Sequence, residues 1–186
     1  MRNLIGALAL VAGPALGAGI EVTVAGEDGV KGSVVIDLFE HVAPGHVDQI
    51  TALAQAGAYD GVVFHRVIDG FMAQTGDVRF GQMSADDFSM RMAGRGGSDR
   101  PDLAAEFSDL PFDRGVIGMA RSASPDSANS QFFIMFAPGH FLNGQYTVVG
   151  QVTSGMEVVD MIKRGEGGNG AVLGTPDRME SVRVTD

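Results

Sequence analysis

Arg66 is the residue whose surroundings first ask for a chemical explanation. It lies in the stretch Val63-Phe64-His65-Arg66-Val67-Ile68-Asp69-Gly70-Phe71-Met72-Ala73-Gln74-Thr75-Gly76-Asp77. If Phe64, Arg66 and Ile68 share one face of a strand, a permanently charged guanidinium sits among apolar neighbours. Such a charge is costly without a partner or a substrate to meet. Beyond the turn at Asp69-Gly70, Phe71 and Met72 add apolar surface, and Gln74 has an amide suited to hydrogen-bonding the Arg66 fork. A surface arginine at a sheet edge accounts for the same periodicity equally well.

Other chemistries find less support. His41 and His46 lack the H-E-x-x-H pattern and have no paired carboxylates at ligand spacing. Ser130, in Asn129-Ser130-Gln131, has no G-x-S-x-G elbow. Gly94, Gly96 and Gly97 match no phosphate-binding loop. With no cysteine in 186 residues, disulfide scaffolds, thiolate zinc sites and Cys nucleophiles are all excluded. The net charge of −10, from 13 basic and 23 acidic residues, repels phosphate backbones and anionic lipid and makes nucleic acid a poor partner.

Such a site needs a scaffold. A chain of this length, 45% hydrophobic and 19% charged, fits one globular domain with a packed core. Ile20 to Val24 alternates, Glu27-Asp28-Gly29 is turn chemistry, and Ser33 to Phe39 returns as a second strand, so the domain opens with a hairpin. Pro44 suits the first turn of a helix, with Val47, Ile50, Leu53 and Ala54 on one face until Gly57 ends it. Further β-type runs cover Val62 to Ile68, Gly115 to Ala120, Phe132 to Phe136 and Tyr146 to Val152. A second helix fits Met156 to Lys163, with Met156, Val159 and Ile162 inward, and Val182 and Val184 mark a last strand. Many short strands with two helices predict a mainly antiparallel barrel or sandwich capped by helices. The Gly- and Asp-rich stretch from Val78 to Pro101 is long for a loop, and its composition favours a tolerated insertion over a binding loop.

The first residues carry a separate message. Met1-Arg2-Asn3 is a short positive start, Leu4 to Ala12 is an apolar run, and Pro14 to Ala18 is rich in small residues, as in a secretory signal peptide. Spanning a bilayer takes about twenty apolar residues, more than this run offers, so cleavage is expected rather than stable membrane insertion. A cut after Gly17 places Ala15 at the −3 position, and one after Ala18 places the larger Leu16 there. The expected organisation is a signal peptide over residues 1–18 and one domain over 19–186, exported, and periplasmic if the source is a Gram-negative bacterium.

A second informative stretch, Gly115-Val116-Ile117-Gly118-Met119-Ala120-Arg121, runs through Ser124-Pro125-Asp126-Ser127 into Ser130-Gln131-Phe132-Phe133-Ile134. Together with Phe64-His65-Arg66 and Phe71-Met72-Ala73-Gln74, it resembles the cyclophilin family of peptidyl-prolyl isomerases, from about Ile20 to the C-terminus. The resemblance implies a mainly β fold, an eight-stranded antiparallel barrel capped by two α-helices. Its shallow outer groove would bind X-Pro segments of unfolded or folding proteins, without cofactor or metal and as a monomer. It makes Arg66 the catalytic arginine and Gln74 the residue that orients it. Phe71, Met72, Phe133 and Leu142 would line the proline pocket, with Ala120, Arg121, Gln131, Phe141 and Tyr146 also contacting the peptide.

The chain departs from the family pattern in places. Phe141 stands where many members have tryptophan, Tyr146 where a groove histidine is common, Arg121 where asparagine is common, and Asp69 where proline is. These changes bear on fine specificity and leave the reaction intact. The implied function is acceleration of X-Pro isomerisation during the folding of exported proteins. A peptide-binding chaperone module of the same fold with little catalysis is the alternative, and a hollow small-ligand barrel is disfavoured by the abundance of Phe, Met and Val. The leader reading is checked by mass spectrometry of the exported protein, expected to show a new N-terminus between Ala15 and Ile20. An intact Met1 in the membrane fraction contradicts it.

Overall fold

The computed structural model describes residues 17–86 and 88–185. The leader expectation falls almost wholly on residues 1–16, outside the described residues. Alternation of Ile20, Val22 and Val24 with polar neighbours produces β1 (Gly19–Gly26), and the two-residue loop Glu27-Asp28 returns the chain as β2 (Gly29–Leu38) in the expected hairpin. Helix α1 (Pro44–Gln55) buries Val47, Ile50, Leu53 and Ala54 and packs on the sheet. Its first turn has no cap from its own neighbours. Glu106, sixty positions away, accepts the Gly45 and His46 backbone N–H groups at 3.1 Å each and lies 2.5 Å from His46 Nδ1. This use of His46 is structural.

Next come β3 (Val62–Val63), β4 (Arg66–Ile68), β5 (Met72–Thr75), β6 (Val116–Met119), β7 (Phe132–Met135), β8 (Val148–Ser154), helix α2 (Met156–Asp160) and β9 (Arg178–Thr185). All pair antiparallel in one sheet of order β3-β9-β1-β2-β8-β6-β7-β5-β4. The two ends of that order are neighbours in the chain, so the sheet curls until its edges meet in the run Val62–Ile68. Nine ladder segments therefore correspond to the eight strands expected, with one run interrupted at Phe64-His65. There Phe64 N–H turns to Asp177 O at 2.8 Å, and Phe64 joins Val67 in the inner core. The interruption corrects the expected face: Phe64 points inward, while Ile68 packs on the outer cluster. Strand β5 was hidden within the Phe71–Asp77 stretch, because a four-residue run in which Thr75 alone is of a strand-favouring type makes a weak strand signal. Helix α2 ends three residues before the expected Lys163, although Val159 and Ile162 are buried as anticipated.

The pleat sorts apolar side chains onto two faces. Val67, Ala73, Ile117, Met119, Phe132, Ile134 and Val149 point into the barrel, and the gap left among Ile20, Ile36, Leu38, Ile50, Ile117 and Phe132 has no room for a water molecule. The outward partners Met72, Val116, Phe133, Met135 and Val148 form a second cluster with Phe112 and Leu142. Among the described residues no helix is long and apolar enough to cross a membrane.

The Val78–Pro101 stretch is not the loose insertion that its composition suggested. Asp77, fully buried, accepts the backbone N–H groups of Arg79 and Phe80 at one carboxylate oxygen and those of Gly94 and Gly96 at the other, at 2.7–3.1 Å. Gly94 has φ +92, and a Cβ there would stand 2.6 Å from His65 Cδ2, so only glycine fits. Local composition could not reveal an anchor that lies before the loop begins. Asp77→Asn turns an amide donor toward one N–H pair and should cost about 2–4 kcal/mol. Unfolding by denaturant, with faster hydrogen exchange at Gly94 and Gly96, checks this.

Beneath that loop the His65 pKa is pushed down to about 4, chiefly by burial, with Asp77 opposing and Arg66 adding to the shift. The unfolded chain protonates this imidazole near 6.5 and so binds more protons between those values. Stability should therefore fall as pH drops from 6.5 toward 4. The melting temperature should decline over that window, and less steeply in His65→Gln. Identical slopes in the two proteins would contradict the assignment.

Candidate active site

Strand register builds the site. Arg66 on β4 stands opposite Gln74 on β5, Gln74 opposite Phe133 on β7, and Phe133 opposite Gly118 on β6. One row of outward positions thus crosses four strands, although its members lie as far apart in sequence as Arg66 and Phe133. Gly118 is required in that row. A Cβ there would lie 2.4 Å from the Phe133 ring and 2.5 Å from that of Phe112, and its absence lets the two rings stack, with centroids 5.8 Å apart. The adjacent row, Ile68, Met72 and Met135, extends the apolar floor. A 3-10 turn at His140–Leu142 brings Phe141 and Leu142 over the end of the floor.

Between these elements is a cavity of about 260 Å³ lined by Arg66, Phe71, Met72, Gln74, Ala120, Arg121, Phe133, Phe141, Leu142 and Tyr146. Ten of the eleven residues singled out in the sequence meet there. Leu142 and Phe133 are buried at its base, and Phe141 stands at the mouth, 67% exposed, its ring 5.4 Å from that of Phe71. Arg121 is tied down: its guanidinium lies 4.4 Å from the centre of the Tyr146 ring and donates to Gln145 O and Ser122 O. Two of the positions where this chain departs from the family pattern therefore pack on one another.

Arg66 is half-buried, and its donors are largely assigned. Nη1 donates to Gln74 Oε1 at 3.1 Å, Nε to Asn169 O at 3.0 Å and Nη2 to Asn169 Oδ1 at 3.0 Å. A further Nη1 contact reaches Met72 Sδ at 3.9 Å. Burial lowers the Arg66 pKa while Tyr146 raises it, and a guanidinium remains charged throughout the working range. A cation thus faces an apolar pocket with its orientation set.

Gln131, the eleventh residue, lies next door. It accepts from Gln74 Nε2 at 3.0 Å and donates to Gly94 O and Gly96 O at 3.0 and 2.7 Å. Its side chain therefore braces Gln74 with both donors engaged. It also lines a second cavity of about 360 Å³ with Gly94, Arg95, Gly96, Ser98 and Asp102, and that cavity shares Gln74, Ala120 and Arg121 with the first. The glycines read as loop flexibility are part of a groove wall. Asn169 was also missed. Its flanking glycines, Gly168 and Gly170, are the signal of a left-handed turn, but nothing local ties that turn to Arg66. Among the described residues no group of three or more His, Asp or Glu stands where it could hold a metal ion.

Comparison with known proteins agrees with this geometry. Residues 20–184 match the family model described as cyclophilin type peptidyl-prolyl cis-trans isomerase/CLD. A Brucella suis protein named probable peptidyl-prolyl cis-trans isomerase is 61% identical over 149 residues, covering 80% of this chain and 75% of the relative. An Aspergillus fumigatus protein named peptidyl-prolyl cis-trans isomerase-like 1 is 38% identical over 136 residues, 71% of this chain and 76% of its own. Among solved structures, a cyclophilin from Hirschia baltica superposes with a TM-score of 0.69 at 24% identity, over 88% of this chain and 72% of that one. A Cryptosporidium parvum cyclophilin type peptidyl-prolyl cis-trans isomerase, solved in the presence of the dipeptide Ala-Pro, gives 0.73 at 23% identity, over 90% and 99%. The structural likeness is one of fold, and the sequence matches carry the rest: a curled antiparallel sheet whose outer face holds a braced arginine over an apolar pocket belongs here to a member of the cyclophilin-type peptidyl-prolyl cis-trans isomerase family.

Proposed function

We propose that this isomerase binds X-Pro segments of folding proteins in the Arg66–Phe133 groove and that Arg66 carries the catalysis. The observation behind this is the guanidinium of Arg66, fixed on three of its five N–H donors and lining an apolar-floored cavity of about 260 Å³. An X-Pro amide isomerises over a barrier of about 18–20 kcal/mol because resonance holds the C–N bond planar. Weakening that resonance is sufficient.

Phe71, Met72, Phe133 and Leu142 grip the ring while the carbonyl side rotates. Arg66 donates to the prolyl nitrogen as it pyramidalises, an interaction available only in the twisted state and so able to raise kcat. The second cavity, continuous with the first through Gln74, Ala120 and Arg121, receives a residue neighbouring the proline. A pure binding module has no need of an arginine braced in this way, which argues for catalysis over passive holding. The positive start, apolar run and small-residue end of residues 1–18 support export, so the substrates are proteins folding outside the cytoplasm.

The protein should speed exchange of an X-Pro peptide in an NMR or protease-coupled assay, and should do so equally in EDTA. Arg66→Ala removes a charged hydrogen bond worth about 1.5–3 kcal/mol, so the rate should fall roughly 10–150-fold with an unchanged circular dichroism spectrum. A folded Arg66→Ala variant at wild-type rate refutes the role given to Arg66.

A further inference from the structure

We propose that Asn169 is a positioning residue for the isomerisation, holding the Nε–Nη2 edge of the Arg66 guanidinium so that its remaining N–H groups face the groove. The inference rests on the catalytic reading of Arg66 and goes beyond it. Gln74 alone grips Arg66 at one nitrogen, Nη1, and a single hydrogen bond leaves a planar group free to swivel about it. Asn169 grips the two nitrogens of the opposite edge with two atoms of one residue, its own backbone oxygen and its side-chain oxygen, each at 3.0 Å. Held on both edges, the plane is fixed.

The backbone around Asn169 is shaped for this. Asn169 has φ 56 and ψ 29, the left-handed region, and is the one non-glycine residue with positive φ among the described residues. Asparagine tolerates that region better than most residues, and here it also brings a second acceptor that glycine lacks. The turn is moored to the strand that carries Arg66. Gly165 N–H donates to Val67 O at 2.8 Å, Val172 N–H to His65 O at 3.1 Å, and Ala171 bridges to Arg66 itself. Gly170, with φ +75, lies so close that a Cβ would come within 2.4 Å of the Ile68 side chain. The turn and β4 therefore move as one, and the acceptors keep their register with the fork.

Donor arithmetic shows the consequence. Of five guanidinium N–H bonds, three are taken by Gln74 and Asn169, and one more faces the weakly accepting Met72 sulfur at 3.9 Å. What remains for a prolyl nitrogen is set by which edge Asn169 holds. The turn Gly167-Gly168-Asn169-Gly170, 103 positions from Arg66 at Asn169, supplies two of the three N–H···O hydrogen bonds on the guanidinium.

Asn169→Gly separates the hydrogen bond from the backbone conformation, because glycine adopts positive φ freely and keeps the carbonyl acceptor while removing Oδ1. It should lower kcat about 3–10-fold, with KM changed by less than about twofold and no loss of thermal stability. Asn169→Asp, which restores an acceptor at the same place, should recover most of the rate. In an Arg66→Ala background Asn169→Gly should have no further effect, since a positioning residue acts only through the group it positions. A wild-type kcat in Asn169→Gly, or an equal loss with and without Arg66, overturns the inference while a slow Arg66→Ala leaves the catalytic reading standing. If Arg66→Ala itself runs at wild-type rate, both fall.

Discussion

The pairing that keeps Arg66, Gln74, Phe133 and Gly118 in one row across β4, β5, β7 and β6 is the constraint on which the site depends. Because side chains alternate along a strand, a slip of one residue in any of these ladders would exchange the groove row for the core row. Arg66 would then replace Val67 inside a barrel with no room for water, and a charge would be buried without a partner. The filled interior thus protects the register. Every inward Phe, Ile or Val that packs there also holds an outward residue in its place over the groove.

A polar chain extends that order sideways. Arg66 leans on Gln74, Gln74 on Gln131, and Gln131 on the carbonyls of Gly94 and Gly96, whose N–H groups are held in turn by the buried carboxylate of Asp77. Each link satisfies a group that would otherwise be left unpaired in a partly desolvated wall, and buried polar networks of this kind are stable only when complete. The long loop is consequently structural to the groove. It supplies one wall of the second cavity and, through Gln131, bears on the orientation of the arginine in the first.

The other edge of the arginine is served by chain from the far end of the sequence. The turn at Asn169 rides on the backbone of β4, the strand at the end of the sheet order. An end strand presents backbone groups with no ladder partner, and here the segment from Gly165 to Val172 takes up part of that edge. Covering the edge and gripping the arginine are thus two results of one contact. The arginine can remain half-exposed to a substrate and still have a defined direction.

Much of this was legible in the sequence because it is local. Period-two runs at Ile20–Val24 and Phe132–Phe136, the Glu27-Asp28-Gly29 turn and the Pro44 helix each report on neighbours a few residues apart. The unusual setting of Arg66 was visible for the same reason, and the family resemblance assembled the remaining pocket residues around it. What depended on contact between distant residues was not legible. The Glu106 cap on α1, the Asp77 anchor of the glycine loop and the Asn169 grip on Arg66 join positions 17–103 apart, and no pattern within a strand or turn encodes its partner across such distances. The interruption at Phe64-His65 has the same origin, since Phe64 leaves the expected face to meet Asp177 O. By itself the sequence determined most of the strand segments, the two helices and ten of the residues that line the groove, while β5 and Asn169 escaped it. The curling of the sheet decided how they face one another, because only there do two strand faces, one core and one groove, have to be satisfied together.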